Sequence, residues 1–180
     1  MAASETGVNT DGGSQITDPI QFEVVRSALT QVAEEMAAAL RRSAYSTNVK
    51  TRQDFSCAFF DRNGRPISQA FTQPVHLGSF VELIPTSIKT YGVENLDPGD
   101  MLVVNNPFGG GSHLNDVTVF GPVHHNGDLV GYVASLAHHV DVGGGAPASI
   151  GPFQEIFQEG IIIPPVKLVK KGEMNEDVFK

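Results

Sequence analysis

The sequence predicts an α+β fold, a long N-terminal helix packed on a mixed, largely antiparallel sheet of hairpins joined by Gly-rich loops. Three observations carry that expectation. Apolar residues recur at steps of three and four from Phe22 through Val25, Leu29, Val32 and Met36 to Leu40, which is one stripe of a single helix. Two Asn-Gly pairs, Asn63-Gly64 and Asn126-Gly127, each separate two runs of strand-forming residues. Beyond the helix, short apolar segments alternate with turns that use most of the 19 Gly and 11 Pro in 180 residues, with no βαβ alternation and no internal repeat.

The elements follow in order. Residues 1–17 are rich in Ser, Thr, Gly and Asp without periodicity and read as a disordered tail. Asp18-Pro19 then supply an N-cap and a first-turn proline, with Gln21 at the capping-box position. The helix runs from about Pro19 to Ala44, with Glu34 and Glu35 on its surface and Arg41 and Arg42 at the negative end of its dipole. Asp54 to Phe60 and Ile67 to Ala70 form a hairpin around the turn 61–65. Residues 71–78 read as a loop, and Phe80 to Tyr91 as a helix with Pro85 near its first turn. Met101 to Val104 is a buried strand and Asn105 to Gly111 a loop. Val117 to Phe120 is a short strand, and a second hairpin joins Pro122–His125 to Leu129–Ala137. After a Gly/Pro/Ser loop at 142–153, Ile161–Ile163 and Val166–Val169 are two strands broken by Pro164-Pro165, and a last helix starts at Asn175.

Composition excludes several classes of function. Twelve Lys and Arg against 20 Asp and Glu give a net charge of −8, and no basic block exceeds two residues, so nucleic acid is not an expected partner. The longest apolar run is far below the roughly 20 residues that span a bilayer, and residues 1–15 have neither the basic nor the apolar region of a secretory signal. The single cysteine, Cys57, excludes an intrachain disulfide. These features describe a cytoplasmic protein with no membrane partner. Charged residues are only 18% of the chain, which points to surface buried against itself, a partner or further chain.

The residues with the strongest chemical signal are two His-x-x-Asp motifs, His113-Leu114-Asn115-Asp116 and His138-His139-Val140-Asp141, each beside a Gly-Gly-Gly run. Two imidazoles and a carboxylate suit Zn, Mn or Fe(II) and leave coordination positions free for water or substrate. The same residues also serve as turn caps. Neighbours in a strand face opposite ways, so His138 and His139 do not both reach one ion, and Asp141 either ligates or holds an imidazole from behind. Asp54 opens an apolar strand: it either points inward, where it needs a partner, or caps the preceding turn. His76 reads as a structural loop histidine, His124 and His125 as solvent-exposed, and Cys57 as packing. Neither glycine run is followed by the Lys-Ser/Thr of a phosphate loop, so the chain has no self-contained ATP site.

At these residues the chain resembles the N-terminal part of the hydantoinase B/oxoprolinase family. The resemblance rests on Asp18-Pro19 with its helix, RRSAYSTNVKTRQDFSCAFFD (41–61), QPVHLGS (73–79), NNPFGGGSHLNDVTVFGPV (105–123), AHHVDVGG (137–144) and EIFQEGIIIPPVKLVKKGEMNEDVF (155–179), in that order. It implies a divalent-metal site at His113, Asp116 and His138, with Asp54 a further ligand or general base and Asp141 close by, both in catalytic roles. Zn or Mn is the expected metal ahead of Fe. Two positions depart from the family pattern: Asn106 stands where Asp is usual and Ser112 where Thr is usual.

The resemblance implies an enzyme subunit, one of a hetero-oligomer. A hydantoinase A-type partner would bind ATP and phosphorylate the amide oxygen, and this chain would bring a metal-activated water to hydantoin, 5-oxoproline or a lactam. Two alternatives stand beside that reading. One is a subunit of an acetone- or acetophenone-type carboxylase acting on a small ketone. The other is a non-catalytic assembly module or inactive remnant. Family chains run well past position 180, so residues 18–180 read as the first part of a larger domain, and the 180-residue product is expected to be poorly soluble or to associate.

Overall fold

A computed structural model describes residues 17–179. The tail expected at 1–17 lies, but for Thr17, outside the described residues. α1 spans Pro19–Ser43, started by Asp18, whose Oδ1 accepts from the Ile20 N–H at 2.9 Å. A single turn, α2 (Thr47–Lys50), follows with Ser46 as its cap. The strands are β1 (Phe55–Phe60), β2 (Pro66–Gln69), β3 (Met101–Val104), β4 (Asp116–His125), β5 (Asp128–His138), β6 (Val166–Lys170) and β7 (Glu173–Met174). α3 (Pro74–Tyr91) lies between β2 and β3, and α4 (Glu176–Phe179) follows β7.

The strands make one seven-stranded sheet in the order β2-β1-β5-β4-β3-β6-β7, and every pairing among the described residues is antiparallel. The α+β expectation holds, and both Asn-Gly hairpins form. In the first, Asp61 Oδ1 accepts from the Asn63 and Arg65 N–H groups, both at 2.8 Å. In the second, Asn126 and Gly127 have φ of 52° and 90°, the paired positive values of a turn whose twist matches its strands.

Strand alternation divides the core in two. Ala58, Phe60, Leu102, Val104, Phe120, Tyr132, Ala134 and Leu136 face α3 and meet Phe80, Leu83 and Ile84. Phe55 and Cys57 face α1 and meet Ala33 and Ala37. Cys57 is fully buried, as a packing residue.

Four expectations need correction. The segment 71–78 is not all loop: α3 begins at Pro74, which makes Pro85 an interior residue rather than a first-turn one. The stripe of α1 is only partly covered: Phe22, Val25 and Val32 are exposed, whereas Met36 and Leu40 toward its end are partly buried. The reason is length, since 25 helical residues reach about 37 Å while the six-residue β1 beneath them spans about 20 Å. Val117–Phe120 and Pro122–His125 belong to one strand, β4. β3 pairs with β4 no further than Phe120, so Pro122 occupies a stretch where its missing N–H costs no ladder bond to β3. Finally, Ile161–Ile163 is not a strand. Its backbone bonds go to a side chain and to two separate backbone partners: Asn105 accepts from Ile163 N–H on Oδ1 at 2.6 Å and donates from Nδ2 to the Ile161 carbonyl at 2.9 Å, while Ile161 N–H donates to the Val142 carbonyl and the Ile163 carbonyl accepts from Asn105 N–H.

Candidate metal centre

The centre is assembled by pairing. β4 and β5 place Asp116 directly opposite His138, and β1 joins β5 so that Phe55 faces Ala137. The pairing continues one residue further, with His138 N–H donating to the Asp54 carbonyl at 3.0 Å. His113 reaches the same place by a tight turn in which Asp116 N–H donates to the His113 carbonyl at 3.1 Å. Asn115 ties the two His-x-x-Asp segments together: its Nδ2 donates to the His139 carbonyl at 2.7 Å, and His139 N–H returns a bond to the Asn115 carbonyl at 2.8 Å.

Asp116 is the hub and is only 3% exposed. Its Oδ1 lies 3.3 Å from His138 Nδ1 and 3.7 Å from His76 Nε2. Its Oδ2 lies 3.2 Å from His113 Nδ1 and accepts from the Ser112 hydroxyl. The rings of His113 and His138 stand 4.9 Å apart, and donor atoms of His113, Asp116 and His138 all fall within 4.8 Å of one another. This trio could hold a metal ion.

One atom tests the fit. His113 Nδ1 is buried and has no hydrogen-bond partner, although a carboxylate oxygen is 3.2 Å away. A desolvated nitrogen without a proton partner is costly in a purely structural arrangement and is what a cation-binding imidazole needs. Two imidazoles and a carboxylate form a donor set for a divalent ion such as Zn or Mn.

Asp54 joins the group through His76, whose Nε2 is 3.5 Å from Asp54 Oδ1. The Asp54 side chain keeps 31% exposure, so it faces solvent where Asp116 does not. Gln53, immediately before it, sits at φ 55°, a left-handed conformation that re-aims the chain into β1. Asp141 stands apart from the trio. It is exposed, and its Oδ1 accepts from Gly143 N–H at 2.8 Å. His139 follows the last residue of β5 and is exposed, and of the two neighbouring histidines it is His138 whose ring nitrogen joins the trio. Asn106 and Ser112 both have work that their side chains suit: Asn106 Oδ1 accepts from Phe108 N–H at 3.0 Å, and Ser112 holds Asp116.

His76 is the residue that sequence reasoning passed over. It lies in the first turn of α3, 2% exposed, with Ser56 Oγ at 3.2 Å from its Nδ1. Burial pushes its imidazole below the ordinary histidine range, partly offset by the Asp116 and Asp54 carboxylates. A signal was present. Residues 76, 80, 83, 84 and 87 are the buried positions of α3, so His76 continues an apolar helical stripe and must find polar partners at its end. A cavity of about 210 Å³ opens beside the centre, lined by Ser46, Val49, His138, His139 and Val140.

Comparison with known proteins identifies the family. The profile described as hydantoinase B/oxoprolinase matches residues 18–180. The chain is 43% identical over 163 residues to 5-oxoprolinase 1 of Arabidopsis thaliana, covering 90% of this chain and 13% of that one. It is 37% identical over 163 residues to caprolactamase subunit beta of Pseudomonas jessenii, covering 90% and 28% respectively. The crystal structure of the ATP-dependent caprolactamase from Pseudomonas jessenii superposes with a TM-score of 0.77 at 34% identity, over 92% of this chain and 28% of that one. A nucleotide-free acetone carboxylase structure shares the fold, with a TM-score of 0.82 at 21% identity over 89% of this chain and 22% of that one. The chain thus spans less than a third of the length of these relatives.

Proposed function

The chain belongs to the hydantoinase B/oxoprolinase family, and on that footing we propose that it carries the metal centre of an ATP-dependent hydrolase that opens cyclic amides such as hydantoin, 5-oxoproline or a lactam. The observation that carries this reading is the clustering of donor atoms of His113, Asp116 and His138 within 4.8 Å of one another, with His113 Nδ1 buried and without a hydrogen bond. His113, Asp116 and His138 would hold a divalent ion, Zn or Mn, with Asp54 as a further ligand or a general base. When bound, that ion supplies Lewis acidity to oxygen at neutral pH.

The side chains supply the rest. Asp116, buried between both ligand histidines and Ser112, fixes the orientation of the imidazoles. Asp54, partly exposed, is placed to take a proton from an incoming water as general base. Asp141 shapes the glycine turn beside the cavity. The cavity lined by Val49 and Val140 suits a small ring, with Ser46 as its polar edge. ATP would be bound by an A-type partner in a hetero-oligomer, consistent with a relative that is named as a beta subunit. Residues 18–180 would be one part of the metal-bearing domain. The hydrolase reading is preferred to a carboxylase because the relatives named for cyclic-amide chemistry are 37–43% identical, whereas the acetone carboxylase likeness is one of fold.

The test is metal analysis of the purified protein, followed by assays of hydantoin, 5-oxoproline and caprolactam with ATP and the partner subunit. Near-stoichiometric Zn or Mn, lost in His113→Ala, and bicarbonate-independent ring opening are expected. A strict bicarbonate requirement would sink the hydrolase reading, and metal-free active protein would sink the metal centre.

A further inference from the structure

His76 is nearly inaccessible, yet it is surrounded by polar groups on both sides of its ring. On one side is a relay of hydroxyls. Thr72 Oγ1 donates to Ser56 Oγ at 2.9 Å, and Ser56 Oγ is 3.2 Å from His76 Nδ1, nearer than its other acceptor, the Gln73 carbonyl at 3.4 Å. On the other side are two carboxylates, Asp54 Oδ1 at 3.5 Å and Asp116 Oδ1 at 3.7 Å from Nε2.

These surroundings favour one direction for the bonds. Ser56 Oγ accepts the Thr72 hydrogen bond and keeps its own hydroxyl proton to donate, and the nearer acceptor is His76 Nδ1. The ring proton then resides on Nε2, where it faces two anions. The opposite tautomer would aim a nitrogen lone pair at two carboxylates and is disfavoured electrostatically.

We propose that His76 is a positioning residue: its Nε2–H, oriented by the Thr72–Ser56 relay, draws the Asp54 and Asp116 carboxylates toward a common point and so presets the metal centre without itself ligating. This inference rests on the metal-centre reading above. His76 stands between two strands' worth of negative charge, since Asp54 precedes β1 and Asp116 begins β4, and no other buried donor bridges them among the contacts of either carboxylate described above. Its place in the first turn of α3 also ties the position of the centre to the helix that covers the larger core.

Two measurements test the proposal on the purified protein. In the metal-free protein, a two-bond ¹H–¹⁵N spectrum of the histidines should show His76 protonated on Nε2 and unprotonated on Nδ1, with Ser56→Ala weakening that preference. The Nδ1–H tautomer would overturn the proposal. Titration with Mn(II) alone, followed by electron paramagnetic resonance, should show His76→Gln binding within about threefold of the native chain, because the glutamine amide restores a donor near Nε2. His76→Leu and His76→Asn should bind on the order of 10–100-fold more weakly. His76→Leu binding like the native chain would overturn the proposal while leaving the metal centre intact. His76→Gln failing as badly as His113→Ala would make His76 a ligand and overturn it too. A native chain that binds neither Mn(II) nor Zn(II) would overturn the metal-centre reading itself, and this inference with it.

Discussion

Asp116 and His138 are paired face to face across β4 and β5, with Oδ1 and Nδ1 3.3 Å apart, so the hydrogen-bonded ladder itself sets the separation of two groups of the candidate centre. A donor pair held by backbone register is stiffer than one held by loops, and its contribution is correspondingly sensitive to side-chain chemistry. Asp116→Asn keeps the shape but removes the charge. It should weaken Mn(II) or Zn(II) binding by about 100-fold or more, read by calorimetry, while the far-ultraviolet circular dichroism spectrum stays unchanged.

Ser112 offers a finer test of the same hub. Its hydroxyl donates to Asp116 Oδ2, a bond that a threonine hydroxyl can make equally well. Ser112→Thr should match the native chain in metal affinity, and Ser112→Ala should lose about tenfold. Equal affinity in all three would remove Ser112 from the centre.

Asn105 is 1% exposed and uses its whole amide: Nδ2 donates to the Leu114 and Ile161 carbonyls at 2.8 and 2.9 Å, and Oδ1 accepts from Ile163 N–H. Asn105→Asp is isosteric but replaces the donor group with a second acceptor facing two carbonyls. It should destabilise the fold by about 3 kcal/mol or more, at least as much as Asn105→Ala. Urea denaturation of both variants checks the order.

Gly110 brings the loop against α3. At φ 104° a side chain is strained, and an added Cβ would lie 2.5 Å from Leu83 N, backbone that cannot step aside. Gly110→Ala should cost about 2 kcal/mol or more, seen as a lowered melting temperature, whereas Gly127→Ala, with open space around its Cβ, pays only for its positive φ.

Asp100 and Lys167 set a pH window for stability. Burial raises the Asp100 carboxyl, but hydrogen bonds from Lys167 and from the Lys171 and Asp97 N–H groups outweigh it and hold the group below the usual carboxylate range. Its stabilisation is present above the unfolded value of about 3.9 and is lost as pH falls through the lower folded value. The Asp100 hydrogen bond raises Lys167 above the usual lysine range, so that group's contribution is full below about 10.4 and is lost as pH rises through the higher folded value. Stability should therefore be flat with respect to this pair between those limits. Asp100→Asn should shallow the acid limb of a stability-against-pH curve and cost about 3 kcal/mol at pH 7.

Much of this was readable beforehand, and the exceptions have physical causes. Asn63-Gly64 and Asn126-Gly127 announced their hairpins because their backbone demands are local. His113, Asp116 and His138 were legible as a cluster because they lie in two segments that a single hairpin brings together. His76 was not, because its role depends on α3 starting at Pro74, which a glycine at 78 and a proline at 85 concealed. The exposed start of α1 was hidden for a different reason: periodicity shows which face of a helix is apolar, but not how far the surface beneath it extends. Ile161–Ile163 has strand composition, yet its bonds are shared between the Asn105 side chain and scattered backbone groups of Val142 and Asn105, and no local pattern encodes that.

The centre draws its residues from position 54, from 76, from 113–116 and from 138, and no short stretch of chain contains it. The β4–β5 hairpin brings His113, Asp116 and His138 together, and Asp54 joins them only through the pairing of β1 with β5, a closure between segments distant in sequence that carries an entropic cost. A cation taken up by this assembled arrangement and not by the open chain stabilises the folded state, by about 2.7 kcal/mol at a concentration 100 times its dissociation constant. Metal supply would then govern how much of the chain is folded as well as how much is active. A chelator would act as a mild denaturant, shortening the lifetime of the protein before any substrate is present.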